Sequence, residues 1–215
     1  MAFDKAALDA TKVEAIRLGV EWQALGAVAE VESGGRPLWD GLCPIRIEGH
    51  YFDERLSGEK RKTARDQGLA APKSGAVKNP KKMADRYAML DRMIAIASDA
   101  ALESCSWGLG QVMGAHWKKL EYPSVSALSV EAKESVGGQV RLMGRYIEEF
   151  GLIGALKAKD WAAFAKRYNG SNYAVNQYDV KMADAMSVSS TTAQLRSNLQ
   201  SRLTRSSNAA RGDPR

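Results

Sequence analysis

Cysteine is nearly absent: the 215 residues contain two, Cys43 and Cys105, too few for a disulfide framework and without His or Cys neighbours at metal-ligand spacing. Both read as reduced packing residues. Histidine is equally scarce, with only His50 and His116, so no metal pattern arises and neither metal nor cofactor is expected. No apolar run approaches the roughly 18 residues that a membrane span needs. The N-terminal Met-Ala-Phe-Asp-Lys-Ala-Ala-Leu lacks the uninterrupted apolar core of a secretory signal. The expectation is a chain made and kept in a cytoplasm until something else releases it.

The C-terminal stretch lacks negative charge. From Ser187 to Arg215, five arginines (Arg196, Arg202, Arg205, Arg211, Arg215) stand against one acid, Asp213, which gives +4 of the chain's net +6. A basic balance confined to a tail argues against a nucleic-acid-binding domain and for an appendage able to meet an anionic surface, such as outer-membrane lipid. The tail is rich in Ser, Thr, Asn and Gln, with Leu195, Leu199 and Leu203 recurring every four residues. A short amphipathic helix and disorder both stay open there. Residues 1–186 are expected to form one domain, 187–215 the tail, and the whole a monomer. With 45% hydrophobic and 26% charged residues the chain can bury an ordinary globular core.

Helical spacing is abundant. Asp4 to Leu18 predicts a first helix ended by Gly19, and Trp22 to Ser33 a second ended by Gly34 and Gly35. In the second, Leu25, Val28, Ala29 and Glu32 share one face, whereas Glu30 points elsewhere. Glu32 therefore sits on the apolar face, in the last turn, beside the negative end of the helix dipole. Burial and dipole both favour its protonated form, which is what a general acid requires. A Glu that caps the helix or pairs with a buried Arg is the alternative.

Pro44 to Phe52 alternates, with Ile45 and Ile47 on one face and Arg46, Glu48 and His50 on the other, which predicts a short strand or hairpin arm. Asp53 to Lys82 is charged and broken by Gly58, Gly68, Pro72, Gly75 and Pro80, so a long surface excursion with one helical turn is expected. From Lys81 the pattern is helical again, with Ser98 as an N-cap. Ser106 to Gly114 crosses a Gly-rich corner into a short helix, and Val125–Leu128, Glu131–Phe150, Leu152–Lys157 and Asp160–Tyr168 follow as helices.

Three segments occur in order within this mostly helical chain: Glu32-Ser33-Gly34-Gly35, Ser106 through Gly114, and Arg167-Tyr168-Asn169-Gly170. The set resembles the lysozyme-like superfamily shared by goose-type lysozymes and soluble lytic transglycosylases. It is more closely similar to the N-acetylmuramidase family of bacteriophage endolysins, over nearly all of residues 6–186. Ala29 to Gly35, Ile45 to Phe52, Ala101 to Gly108, and Asp160 to Gly170 through Tyr178-Asp179-Val180-Lys181-Met182 carry the likeness. Gly110 departs from it, standing where relatives usually have a bulky residue before the Gln.

The resemblance implies a mainly α, lysozyme-like α+β domain with a small β-hairpin or sheet lining a cleft. It also implies cleavage of peptidoglycan between N-acetylmuramic acid and N-acetylglucosamine during host lysis, with release to the wall by a holin. Glu32 would protonate the glycosidic oxygen, and the charge developing on the sugar needs a partner. Glu48 is the candidate, with Asp40 and the Gln111 amide behind it; a structural pairing of Glu48 with Arg46 or His50 is the alternative. Ser33 either orients Glu32 or ends the helix. Gln111, Tyr168 and Asn169 are expected to contact substrate, and His50 either to do so or to serve as a hydrogen-bonded structural residue. Trp107 and Trp161 are expected in the core. A lytic transglycosylase would use the same Glu32 with the muramic 6-hydroxyl in place of water, and a non-catalytic glycan-binding module would keep only the fold.

Overall fold

The computed structural model describes residues 3–170 and 173–188. The first two helices form where spacing put them. α1 (Lys5–Leu18) starts at Asp4, whose carboxylate accepts from the Ala7 N–H at 2.8 Å, and ends at Gly19 in the left-handed conformation. α2 (Trp22–Ser33) buries Leu25, Val28 and Ala29 completely and ends at Gly34, where φ is 66°. Its last free carbonyls, those of Ala29 and Glu30, accept from the Gly35 and Gly34 N–H groups. That closure halts α2 one residue after Glu32.

A three-stranded antiparallel sheet follows in the order β1 (Ile45–Ile47), β2 (Cys105–Trp107), β3 (Val112–Met113), with Ile45 opposite Trp107 and Ser106 opposite Met113. Ile45 and Ile47 point into the core and Arg46 points out. Among the described residues no further strand pairs with the outer edge of β1. Asn79 closes it, accepting from Ile47 N–H and donating to Ile47 O, both at 2.7 Å, while Arg86 donates to Ile45 O at 2.7 Å.

The alternation expected through Phe52 stops at Ile47. Gly49 begins α3 (Gly49–Arg55), so His50 lies on a helix and Glu48 at the junction of strand and helix. The helix wins because Gly49, Phe52 and Asp53 recur at helical spacing and all are buried, Asp53 against Arg65 with contacts of 2.6 and 2.7 Å. Arg65 belongs to α4 (Gly58–Asp66), which replaces the single turn expected in the surface excursion; residues 56–57 and 67–82 remain irregular. α5 (Met83–Ile96) and α6 (Ser98–Glu103) meet at an extended Ala97, which makes Ser98 the first helical residue and not a cap.

The Gly-rich corner is the β2–β3 hairpin turn, not a route into a helix; a short 3-10 turn, Gly114–His116, comes only after β3. The long helix expected from Glu131 to Phe150 is two, α7 (Val125–Glu134) and α8 (Val136–Glu149), divided at Ser135, whose hydroxyl accepts from Gly138 N–H and caps the second. α9 (Ile153–Ala158) and α10 (Trp161–Tyr168) complete the helical layer with residues 178–188. α8 lies against α1 and α7 and buries Val140, Leu142, Met143 and Ile147 in the common core. Trp107 is fully buried, as expected, whereas Trp161, expected in the core, is only partly buried and packs against its edge.

Met182 and Met186 are buried, so the domain's packing reaches residue 186. Most of the basic tail lies outside the described residues. Among those described, no helix is long and apolar enough to cross a membrane.

Candidate active site

Glu32 lines a cleft of about 810 Å³ together with Glu48, His50, Gln111, Tyr168 and Asn169. Six of the seven expected site residues are thus brought together. The cleft's walls come from the end of α2, the sheet, the start of α3, the end of α10 and the turn before residue 178, elements far apart in sequence.

Burial pushes the Glu32 carboxyl up to about 7, against the opposing pull of a hydrogen bond from Asn169. Asn169 follows the last residue of α10, and its Nδ2 donates to Glu32 Oε1 at 2.6 Å. The other amide atom, Asn169 Oδ1, is buried without a protein partner. Asn169 therefore reaches the acid itself and not only the space where substrate would lie.

Tyr168 secures that arrangement. Its hydroxyl donates to Gly110 O at 2.6 Å, its ring stacks on Phe164 and meets Tyr146 edge-on. Burial raises the phenol well above its ordinary range and the charge on Glu32 adds to the effect. The hydroxyl is committed to the protein, so only the ring faces the cleft. Gly110 makes the approach possible: a Cβ there would stand 2.6 Å from Met143 Cγ and 2.9 Å from the Tyr168 hydroxyl. Gly110 is thus the residue on which the end of α10 docks.

The hairpin turn is pinned from below by Gln139 of α8, which is 1% exposed, accepts from Leu109 N–H and donates to Pro37 O. The two hydrogen bonds of this buried amide tie α8 to the turn and to the chain leaving α2. Gln111, at φ 47°, donates through Nε2 to Gly108 O at 2.9 Å and to Pro44 O at 3.4 Å. Its amide oxygen is left for other partners.

Glu48 is partly buried at the end of β1. Arg46 Nε donates to Glu48 Oε1 at 2.6 Å, and His50 Nδ1 lies 3.6 Å from Oε2, beyond hydrogen-bond reach. His50 Nδ1 is buried without a hydrogen-bond partner, its ring against Tyr51. The pairing with Arg46 weighed from sequence is present, and it leaves Glu48 in the same cleft as Glu32. Ser33 is buried with its hydroxyl donating to Ala29 O at 2.9 Å; it ends the helix, makes no bond to Glu32 and does not line the main cleft. Asp40 sits exposed on the tip of the Trp39–Leu42 bridge, outside the lining of the cleft.

The cleft also holds residues that sequence reasoning passed over: Tyr146, His116, Arg167 and Tyr178. Burial and then the Glu32 charge push Tyr146 up to about 12, so its hydroxyl stays a donor. Burial, with Lys119 and Arg55 adding to it, lowers His116 and keeps the imidazole neutral. Arg167 and Tyr178 had a signal, as parts of the Arg167 to Gly170 and Tyr178 to Met182 segments; Tyr146 and His116 had none. Among the described residues no group of three or more His, Cys, Asp or Glu side chains is arranged to hold a metal ion.

A partly helical, partly sheet-lined domain with a carboxyl kept protonated near neutrality in an open polar cleft has the form of a lysozyme-like enzyme. The family model for N-acetylmuramidase matches residues 21–189, and the chain belongs to that family, which makes it a peptidoglycan-degrading enzyme. Among solved structures it is similar to the crystal structure of the Burkholderia AP3 phage endolysin, at 36% identity over 86% of this chain and 71% of that one, with a TM-score of 0.73. No curated protein matches it.

Proposed function

We propose that the chain is a phage endolysin that hydrolyses the β-1,4 bond between N-acetylmuramic acid and N-acetylglucosamine, with Glu32 as general acid. The observation that carries this reading is Glu32 itself, raised to about 7 by burial and open to a cleft large enough for a glycan strand. Near neutral pH a large share of the carboxyl is protonated and can give its proton to the glycosidic oxygen as the bond to the muramic C1 breaks. Asn169 holds the carboxyl in place, and Tyr168 with Gly110 holds the helix end that carries Asn169.

Positive charge then develops on the muramic ring. Glu48, oriented by its charge-assisted bond to Arg46, is the group proposed to stabilise it or to steer the attacking water. The Gln111 amide oxygen, the Tyr146 hydroxyl and neutral His116 offer the sugar hydroxyls and N-acetyl groups an acceptor, a donor and a polar aromatic edge.

Digestion of purified sacculi with mass spectrometry of the muropeptides tests the reaction. Hydrolysis leaves reducing muramic ends, transglycosylation leaves 1,6-anhydromuramic ends, and a glycan-binding module leaves the strands uncut. The endolysin reading also carries release to the wall by a membrane-permeabilising partner, and contact of the basic tail with anionic lipid.

A further inference from the structure

A second cavity of about 180 Å³ opens beside the cleft and shares Glu32, Arg46 and Gln111 with it. Its remaining lining is Ser33, Trp39, Pro44, Ile45, Met83 and Arg86. At roughly 30 Å³ per water it holds about six waters' volume, room for a side arm and not for a glycan. The acid thus stands where the main cleft and this side lobe meet.

The lobe is rich in donors that the protein leaves uncompensated. Arg86 lies on α5, with its guanidinium 5.7 Å from the Trp39 ring. It donates to Pro80 O and Ile45 O but makes no ion pair among the described residues. Burial, and then the neighbouring charge of Arg46, lower its affinity for a proton, the mark of a cation short of a counter-charge. Trp39 Nε1 is buried with no protein acceptor, which is costly for an indole N–H. About half of Glu32 is protonated near neutrality, by its pKa of about 7, and Glu48 is taken by Arg46. Arg86, which has no ion pair among the described residues, and Trp39, with its idle N–H, therefore line a small space whose other guanidinium, that of Arg46, already has Glu48 as its partner.

In a peptidoglycan strand the two sugars alternate, and only N-acetylmuramic acid carries an anionic arm: the lactyl ether and the carboxylates of its stem peptide. We propose that the side lobe is the subsite for this arm, held by Arg86 and Trp39, and that its occupation decides which of the two alternating linkages meets Glu32. An arm seated in the lobe holds its muramic ring beside Glu32, and in the proposed register the bond presented to the acid is the one from that ring's C1. Register along the strand is then set by charge and not by the pyranose faces, which the two sugars share. The proposal rests on the muramidase reading above and deepens it.

Two substrates test it: soluble stem-bearing glycan strands with free carboxylates, and the same strands with those carboxylates amidated. The parent enzyme is expected to show a kcat/KM about tenfold higher on the free-carboxylate strands, the scale of one charge-assisted hydrogen bond. Arg86→Gln is expected to bring that ratio near one and to let N-acetylglucosamine reducing ends appear among the products. Arg86 also braces β1, so Trp39→Phe serves as a second variant, removing an N–H that no protein group accepts. Its melting temperature should be unchanged or higher, while KM on the free-carboxylate strands rises about tenfold and kcat holds. A parent ratio near one, a ratio unchanged in folded Arg86→Gln, or an unchanged KM in Trp39→Phe overturns the subsite and leaves the muramidase reading standing. A parent enzyme that cuts neither substrate overturns both.

Discussion

Asn169 Nδ2 donates to Glu32 Oε1 at 2.6 Å across 137 positions of the chain. The bond joins the end of α10 to the end of α2, and it opposes the burial that raises the acid. Removing it has a definite sign. Asn169→Ala is expected to move the alkaline limb of the pH–rate profile upward from about 7 and to lower kcat, because the acid is then both more weakly acidic and less well held. A profile measured from pH 5 to 9 checks this; a limb that stays in place would show that the bond does not govern the acid.

The raised acid also has a cost in stability. The folded state holds the Glu32 proton more tightly than the unfolded chain, about 7 against 4.5, so stability falls as pH rises between those values. Glu32→Gln removes the ionisation and keeps the volume and the acceptor for Asn169. Denaturant melts should find the variant more stable than the parent by on the order of 2 to 3 kcal/mol at pH 8, and near parity at pH 4. Equal stability at both pH values would mean that the carboxyl is not desolvated.

Glu48→Gln is expected to damage lysis without abolishing it, since the residue would stabilise charge and not transfer the first proton. Turbidity loss of permeabilised Gram-negative cells measures it. Unchanged activity would reduce Glu48 to the structural partner of Arg46, to which it is bonded at 2.6 Å.

Gly110→Ala is expected to destabilise the fold by about 1 to 3 kcal/mol, because the added methyl meets Met143 on one side and the Tyr168 hydroxyl on the other. Gly110 does not have a positive φ, so the loss comes from contact and not from the backbone. Displacing Tyr168 also displaces Asn169, and activity should fall further than stability. Thermal melts and lysis rates compared with Gly154→Ala, which has nothing within 4 Å of the new methyl, check this.

Truncation after Val188 removes +4 of the net +6 and, unlike a cut at residue 186, leaves the helical stretch 178–188 whole. Hydrolysis of isolated peptidoglycan should be retained and whole-cell lysis weakened, with the difference shrinking as salt rises past about 0.1 M. Equal lysis of unpermeabilised cells at low salt by both forms would leave the tail without a membrane role.

How much of this was legible in the sequence depended on how local the cause was. Glu32 could be read because the spacing of Leu25, Val28 and Ala29 fixes its face and Gly34 fixes the helix end, all within ten residues. The strand expected through Phe52 failed at Gly49, where the burial of Phe52 and the Asp53–Arg65 pair select a helix, and Arg65 lies twelve residues on. Ser33 was open between two roles, and the backbone bond to Ala29 decided it. Tyr146 and His116 were missed because their place in the cleft follows from how α8 and the turn after β3 lie beside the end of α10, which no local pattern encodes. The side lobe was invisible for the same reason, since Trp39 and Arg86 meet only once α5 braces β1.

The central claim is that Glu32 supplies the proton that breaks the glycan. Its most direct test is the release of reducing muramic ends from purified peptidoglycan by folded Glu32→Gln protein, followed by mass spectrometry beside the parent. The account predicts a loss on the order of 10²-fold or more, the scale of a positioned general acid, in a protein as stable as the parent or more so. Release at near-parental rate by the folded variant would contradict it and move the acid elsewhere in the cleft.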